Sequence, residues 1–260
     1  MAQANEKVVV ITGASSGIGR ATAEEFAGHG YAVVVLARRQ DRLETLTEQL
    51  KKEHSHPHFL SIPCDVTHWE EVSGAVEKIQ KEFSRVNVLV NNAGAYEYGS
   101  LESSSVGKID EMINVNLKGM VYMTKLLLPL LKAGAKAHPP AKVVNVSSIG
   151  GLWGFPNMSV YTATKFAVTG FSSALRRELR AENIDVSSIH PGPVNSADNP
   201  PAKADRKRMV MLPPQIAKQI FTLASSKRSR YISHPAFTLL HALENFSPEL
   251  VDRLLKRILK

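Results

Sequence analysis

Lys7-Val-Val-Val-Ile-Thr-Gly-Ala-Ser-Ser-Gly-Ile-Gly19 carries the reading of the fold. Its first half, Lys7 to Thr12, is a short apolar run that reads as a strand. After it, Ile18, Ala21, Phe26 and Ala27 fall on one side of a helix from about Ile18 to His29. The turn between them is Thr12-Gly13-Ala14-Ser15-Ser16-Gly17-Ile18-Gly19. Glycine accepts positive φ and lets the backbone come close to a ligand. A helix that opens directly from such a turn offers free N–H groups and partial positive charge to a pyrophosphate. The spacing is G-x-x-x-G-x-G, so the commoner G-x-G-x-x-G fingerprint is not met. A turn with a structural role alone is the alternative.

The same alternation continues along the chain. Strands are expected at Tyr31 to Ala37, Phe59 to Cys64, Val86 to Val90, Val143 to Ser147, Ile184 to His190 and Arg230 to Ser233. Helices are expected at Asp41 to Glu53, Trp69 to Phe83, Val106 to Leu131, Val160 to Ala181 and Pro214 to Ala224. Pro129 is expected to bend or end the long helix, and Ala133 to Ala141 reads as a surface loop. Short, fully apolar strands separated by helices imply a parallel sheet covered on both faces. Right-handed crossovers then give a doubly wound α/β fold in one domain over residues 1–260, with a basic helical extension from about 235 to 260.

The second strand ends Val35-Leu36-Ala37-Arg38-Arg39. In dinucleotide folds a carboxylate here takes the ribose hydroxyls, whereas an arginine accommodates a 2′-phosphate. Ala37 stands where the carboxylate is sought, and guanidinium groups suit phosphate. NADP is therefore expected over NAD, through Arg38 and Arg39; two solvated side chains at a strand end are the plainer alternative.

Tyr161-Thr-Ala-Thr-Lys165 puts a phenol and an ammonium one helical turn apart on one face. A neighbouring cation lowers a phenol's pKa from about 10, making a tuned proton donor. Ser148, thirteen residues earlier, is placed to hydrogen-bond the same substrate oxygen. Alone this spacing is a weak signal. Thr12-Gly-x-x-x-Gly-Ile-Gly19 is followed, however, by Asp65-Val66, Asn91-Asn-Ala-Gly94, Asn116, Ser148, Tyr161-x-x-x-Lys165 and Pro191-Gly192. This series, over about residues 7–195, resembles the short-chain dehydrogenase/reductase family. The resemblance implies a seven-stranded Rossmann-type sheet and hydride transfer between nicotinamide and a carbonyl or alcohol.

The roles it implies are these. Gly13, Ser15, Ser16, Gly17, Ile18 and Gly19 form the pyrophosphate turn, and Asp65 and Val66 hold the adenine. Asn92, Ala93 and Gly94 line the cofactor site, while Asn91 to Gly94 as a stretch stabilises the central sheet. Asn116 holds its helix open and organises a proton relay. Ser148 orients the carbonyl and Tyr161 donates its proton. Lys165 binds the nicotinamide ribose and lowers the tyrosine pKa. Pro191 and Gly192 turn beside the nicotinamide, and Val194 meets the carboxamide. Three departures stand out. Ser16 occupies a position often basic in NADP-using members, Ser196 replaces a common threonine, and a Gly-rich C-terminal ending is missing. The tail looks more like the branch with hydroxysteroid dehydrogenases and ketosphinganine reductases.

Other features bound the reading. Cys64 is the single cysteine among 260 residues, so no intrachain disulfide forms and a reducing, cytoplasmic compartment is expected. No stretch approaches the roughly 20 apolar residues of a transmembrane helix, and Met1 to Asn5 lack signal-peptide character. No Cys/His cluster suggests a metal. Residues 203–260 hold 12 Lys and Arg against four Asp and Glu, and so carry the whole net charge of +8. Ser247 and Pro248 open a segment with Leu250, Val251, Leu254, Leu255, Ile258 and Leu259 on one face and charges on the other. Packing on the domain or a subunit of a homodimer or homotetramer is its expected use; peripheral membrane contact, as in a lipid ketone reductase, is the sharper alternative. Leu152, Trp153, Phe155, Pro156 and Met158, with Pro200, Pro201, Met209 and Met211, are expected to line an apolar substrate pocket under a mobile cover; ordinary packing is the alternative. A silent dinucleotide sensor is the rival to an enzyme. No DNA-reading motif or aromatic-basic run supports nucleic-acid binding.

Overall fold

Successive strand residues point to opposite faces, and in β1 (Val8–Thr12) both faces are apolar. Val8 and Val10 pack into one cluster, and Val9 and Ile11 into another. The computed structural model describes residues 6–54, 58–137, 140–196 and 210–247. Its strands β1, β2 (Ala32–Ala37), β3 (Phe59–Pro63), β4 (Val88–Asn91), β5 (Ala141–Val146), β6 (Ile184–His190) and β7 (Arg230–Ile232) form one sheet in the order β3-β2-β1-β4-β5-β6-β7. Every pairing is parallel.

The helices divide between the two faces. Phe26 of α1 (Gly17–Gly28), Leu43 and Leu46 of α2 (Gln40–Glu53) and Ile216 and Ile220 of α7 (Pro213–Ala224) pack under one face. Val72 and Ile79 of α3 (Trp69–Glu82), Met123 and Leu127 of α5 (Met120–Lys136) and Leu175 of α6 (Ser159–Glu178) cover the other. Each such fully buried Leu, Ile, Val or Phe contributes about 1.5–3 kcal/mol relative to exposure. The strand order reverses between β1 and β4, and in doubly wound sheets ligands bind beyond the carboxyl ends of the strands at that switch point. Thr12-Gly13 and Asn91-Asn92 end those two strands.

One expectation about the long helix is corrected. α4 (Val106–Ile113) continues through a π-helical turn, Asn114–Gly119, into α5, which passes Pro129 and runs on to Lys136. Pro129 does not end it, and Ala133 to Lys136 is helix rather than surface loop. Packing holds that last turn: Leu131 and Ala135 are buried, and a Cβ on Gly134 would lie 2.0 Å from the Val86 carbonyl oxygen. A third cluster stands apart from both faces. Ile149, Leu152 and Trp153, in and just after the 3-10 turn Ile149–Gly151, pack on Phe237 of α8 (Pro235–Phe246). Among the described residues no helix is long and apolar enough to cross a membrane. The expected amphipathic segment beginning at Ser247 and Pro248 lies almost wholly outside the described residues, as do Pro200, Pro201 and Met209.

Candidate active site at the carboxyl edge of the sheet

The glycine turn is shaped by its neighbours. Gly13 has φ +66° and Gly17 φ +53°, backbone that side chains rarely adopt. A Cβ on Gly19 would lie 2.3 Å from the Gly13 carbonyl oxygen, so α1 can start this close only without a side chain. Asn92 Nδ2 donates to the carbonyls of Thr12 and Gly13 at 2.9 and 3.2 Å. Thr12 Oγ1 in turn accepts from the N–H groups of Asn92 and Ala93 at 3.0 and 3.1 Å. The two strand ends are thus locked into one unit. At α1, Ser16 makes no side-chain cap and the first turn holds no acidic residue. Its free N–H groups and partial positive charge therefore fit an anion such as a dinucleotide pyrophosphate.

The two arginines diverge. Arg39 folds back over the turn: Nε and Nη2 donate to Ser15 Oγ at 3.2 and 2.8 Å, and Nη2 to Ser16 Oγ at 3.0 Å. Arg38 is 67% exposed and comes only to 4.0 Å from Asp65 Oδ2. Burial alone would raise the Asp65 pKa, but hydrogen bonds from the Thr67 N–H and hydroxyl, with the Arg38 charge, hold it below the usual range. Val66 is buried beneath Gly119, where a Cβ would come 2.6 Å from a Val66 methyl.

Lys165 lies one helical turn along from the Tyr161 phenol, and Ser148 and Tyr161 converge beside Gly150. A Cβ there would meet Tyr161 Cε1 at 3.4 Å and Ser148 Oγ at 3.6 Å. Lys165 is buried, its Nζ donating to the Val146 carbonyl at 3.1 Å and lying 5.6 Å from the centre of the Tyr161 ring. Burial brings its ammonium down to about 8. The expected lowering of the phenol is corrected: burial pushes Tyr161 up to about 12, opposed by its hydrogen bond with Ser148 and reinforced by Tyr96. Desolvation of a phenolate outweighs a cation that is itself desolvated and turned to a backbone carbonyl. Below that range Tyr161 holds its proton.

Asn116 stands in the π-helical turn, its Oδ1 accepting from the Ala95 N–H at 2.7 Å. Its Nδ2 donates to the Ala95 carbonyl and to Thr164 Oγ1, each at 2.9 Å. The Thr164 hydroxyl donates to the Tyr161 carbonyl at 2.7 Å, which joins the segment after β4 to the phenol's helix. Gly94 fits between them, its Cβ position 3.3 Å from Asn116 Oδ1 and 3.7 Å from Lys165 Nζ. Asn91 is turned into the sheet, its Nδ2 donating to Thr124 Oγ1 and Asn145 Oδ1 at 2.9 and 2.8 Å.

After β6, the Pro191 carbonyl accepts from the Ile149 N–H at 2.9 Å. Gly192 lies under Phe237, whose ring would be 2.6 Å from a Cβ there. Val194 bridges to Met211, and Ser196 lies 3.3 Å from the Cβ position of Gly17. The expected apolar pocket needs correction in two members. Trp153 is 1% exposed and Leu152 is buried, both packed with Phe237 as core. Tyr96 and Tyr98 were missed. The Tyr96 ring meets Tyr161 edge-on with centres 5.0 Å apart, and Asn157 Nδ2 donates to the Tyr98 hydroxyl at 3.2 Å. Their signal was present, aromatic residues at the second and fourth positions after Asn91-Asn-Ala-Gly94. Thr164 and Phe237 left no comparable trace.

Comparison with known proteins agrees with this fold. The family model for short chain dehydrogenase matches residues 7–207. An uncharacterized oxidoreductase of Staphylococcus saprophyticus is 35% identical over 198 residues, which is 75% of this chain and 77% of that protein. A short chain dehydrogenase/reductase from Burkholderia phymatum, solved with NAD, superposes with a TM-score of 0.83 at 26% identity over 96% of each chain. An alcohol dehydrogenase from the archaeon Thermococcus sibiricus, complexed with 5-hydroxy-NADP, gives 0.78 at 28% identity over 87% of this chain and 95% of that one. Carrying the family's match across most of its length on one parallel seven-stranded sheet, the chain belongs to the short chain dehydrogenase family.

Proposed function

We propose that this NAD(P)-dependent dehydrogenase/reductase uses NADP and reduces an apolar ketone or aldehyde. The observation that carries the cofactor preference is the Arg39 guanidinium resting on the Ser15 and Ser16 hydroxyls at 2.8–3.2 Å, with Ala37 in place of a carboxylate. A guanidinium and two hydroxyls on the glycine turn are a donor set for a 2′-phosphate. Gly13, Gly17 and Gly19 and the free N–H groups of α1 would hold the pyrophosphate; Asp65 and Val66 would face the adenine, and Lys165 the nicotinamide ribose. Asn92, Ala93, Gly94, Pro191, Gly192 and Val194 would complete the walls.

When bound, the dihydronicotinamide would supply the hydride. As the carbonyl carbon gains it, the C=O electron pair moves onto oxygen. The Ser148 and Tyr161 hydroxyls meet that charge, and the Tyr161 proton completes the alcohol. With its pKa at about 12, Tyr161 is protonated when the reaction needs a donor. Lys165, as a cation, favours the phenolate left behind. The exposed Tyr96, whose ring meets that of Tyr161, supports an apolar substrate. Exposed Val106 and Ile113 of α4 and Phe166 of α6 support a homo-oligomer, which sedimentation would measure.

NADPH oxidation followed with a panel of apolar ketones and aldehydes tests the reading. Tyr161→Phe is expected to lose most turnover while keeping NADPH affinity; full activity in that variant rejects the mechanism.

A further inference from the structure

The Ser148–Ile149 peptide is gripped at both of its polar ends by the end of β6. Its carbonyl accepts from His190 Nδ1 at 2.9 Å, and its N–H donates to the Pro191 carbonyl at 2.9 Å. The same Ser148 carbonyl also accepts the Gly151 N–H at 2.9 Å, so both lone pairs are used. His190 is fully buried, and its Nε2 lies 3.0 Å from Ser188 Oγ. A carbonyl can only accept, so Nδ1 carries the proton. Burial brings the imidazole down to about 4, against the opposing Ser148 bond, so the ring is neutral and Nε2 accepts from the Ser188 hydroxyl. The Ser148 carbonyl therefore selects the tautomer, and the Ser188 hydroxyl, which can donate or accept, fits it and helps fix the ring orientation.

A buried imidazole is costly unless its nitrogens are paired. Here the pairing is spent on one peptide plane, from which the Ser148 side chain departs. With that plane held and the Ser148 backbone extended at φ −163° and ψ 166°, the hydroxyl's direction depends on one remaining side-chain torsion, which the Gly150 N–H bonded to Ser148 Oγ at 3.1 Å constrains further.

We infer that His190 is a positioning residue for the reaction, orienting the Ser148 peptide so that its hydroxyl faces the substrate oxygen. The inference rests on the proposed role of Ser148. Turnover and NADPH affinity would be measured in His190→Leu, His190→Asn, Ser148→Ala and the His190→Leu/Ser148→Ala double variant. Because misplacing a reacting group by about 1 Å can cost on the order of 100-fold, His190→Leu should lower kcat at least about tenfold, with NADPH affinity within about twofold. His190→Asn, which keeps an N–H near the position of Nδ1, should recover most of that loss. In the Ser148→Ala background, His190→Leu should cost less than about twofold more, since coupled residues are not additive. Losses that multiply in the double variant would make His190 a general structural residue and overturn the inference. So would wild-type kcat in His190→Leu beside an inactive Ser148→Ala. Full turnover in Ser148→Ala would instead remove the proposed mechanism, and this inference with it. Should the Leu variant not fold, His190→Gln keeps polarity but moves the donor away from the Ser148 carbonyl, and must still be slow.

Discussion

Replacing Arg39 by Ala should separate NADPH from NADH binding. In the protein this guanidinium makes three hydrogen bonds to Ser15 and Ser16 and is half-buried against the glycine turn. A hydrogen bond to a charged group is worth about 1.5–3 kcal/mol. One such bond to a 2′-phosphate therefore corresponds to roughly 10- to 150-fold in NADPH affinity. NADH lacks that phosphate, so its affinity should change by less than about threefold, the part due to loosening of Ser15 and Ser16. Arg38 provides the internal control. It is 67% exposed and 4.0 Å from Asp65, so its contribution is screened, and Arg38→Ala should cost less than about 1 kcal/mol, or roughly fivefold. The assay is a nucleotide-fluorescence titration of both cofactors against both variants at one fixed ionic strength. Equal loss of NADPH and NADH in Arg39→Ala, or a larger selective loss in Arg38→Ala, would refute the assignment of the phosphate site to Arg39.

Gly19→Ala forces a methyl to 2.3 Å from the Gly13 carbonyl and 2.5 Å from Asn92 Nδ2, both held in place by the Asn92 hydrogen bonds. Overpacking of that kind costs about 1–3 kcal/mol, visible as a lower Tm with lost nucleotide binding; an unchanged melt and affinity would contradict the packing. Asn116→Ala strands the Ala95 N–H and carbonyl and removes the donor that the Thr164 oxygen accepts from. Chemical denaturation should show about 2–4 kcal/mol less stability, and a loss under about 0.5 kcal/mol would mean those groups find other partners. Lys165 gives a pH signature. Its folded pKa, about 8, lies below the 10.5 of an unfolded lysine, so the unfolded chain binds more protons between those values. Stability from this group is present above pH 10.5 and lost as pH falls towards 8. The wild-type minus Lys165→Met stability difference should therefore rise by about 3 kcal/mol from pH 8 to 10.5, at 1.36 kcal/mol per unit. A flat difference would show that the ammonium is not desolvated.

Apolar runs of five or six residues separated by helical periods read as a parallel α/β sheet because burial on both faces imposes that pattern directly on composition. Element ends agree to within a residue or two in most places, since Gly, Pro and capping residues act locally. The helix from Met120 to Lys136 was misjudged at its end for the opposite reason. Pro129 and the small residues after it look like a stop, and only the Val86 backbone lying against Gly134 explains why the helix continues.

The site divides along the same line. The sequence by itself determined which groups are present: a glycine turn, two arginines after β2, Asn116, Ser148, Tyr161 and Lys165, each recognisable by residue type and spacing. What only the tertiary structure decided is what surrounds them. Arg38 and Arg39 are adjacent in the chain, yet one meets solvent and the other two serine hydroxyls, because neighbouring side chains at a strand end point in different directions. The phenol's pKa moves up rather than down because desolvation is a property of everything packed around a group, and no spacing of two residues contains it. His190 belongs to the same class, a strand residue whose partners, apart from Ser188, come from a segment forty-two positions away and become visible only when β5 and β6 lie side by side.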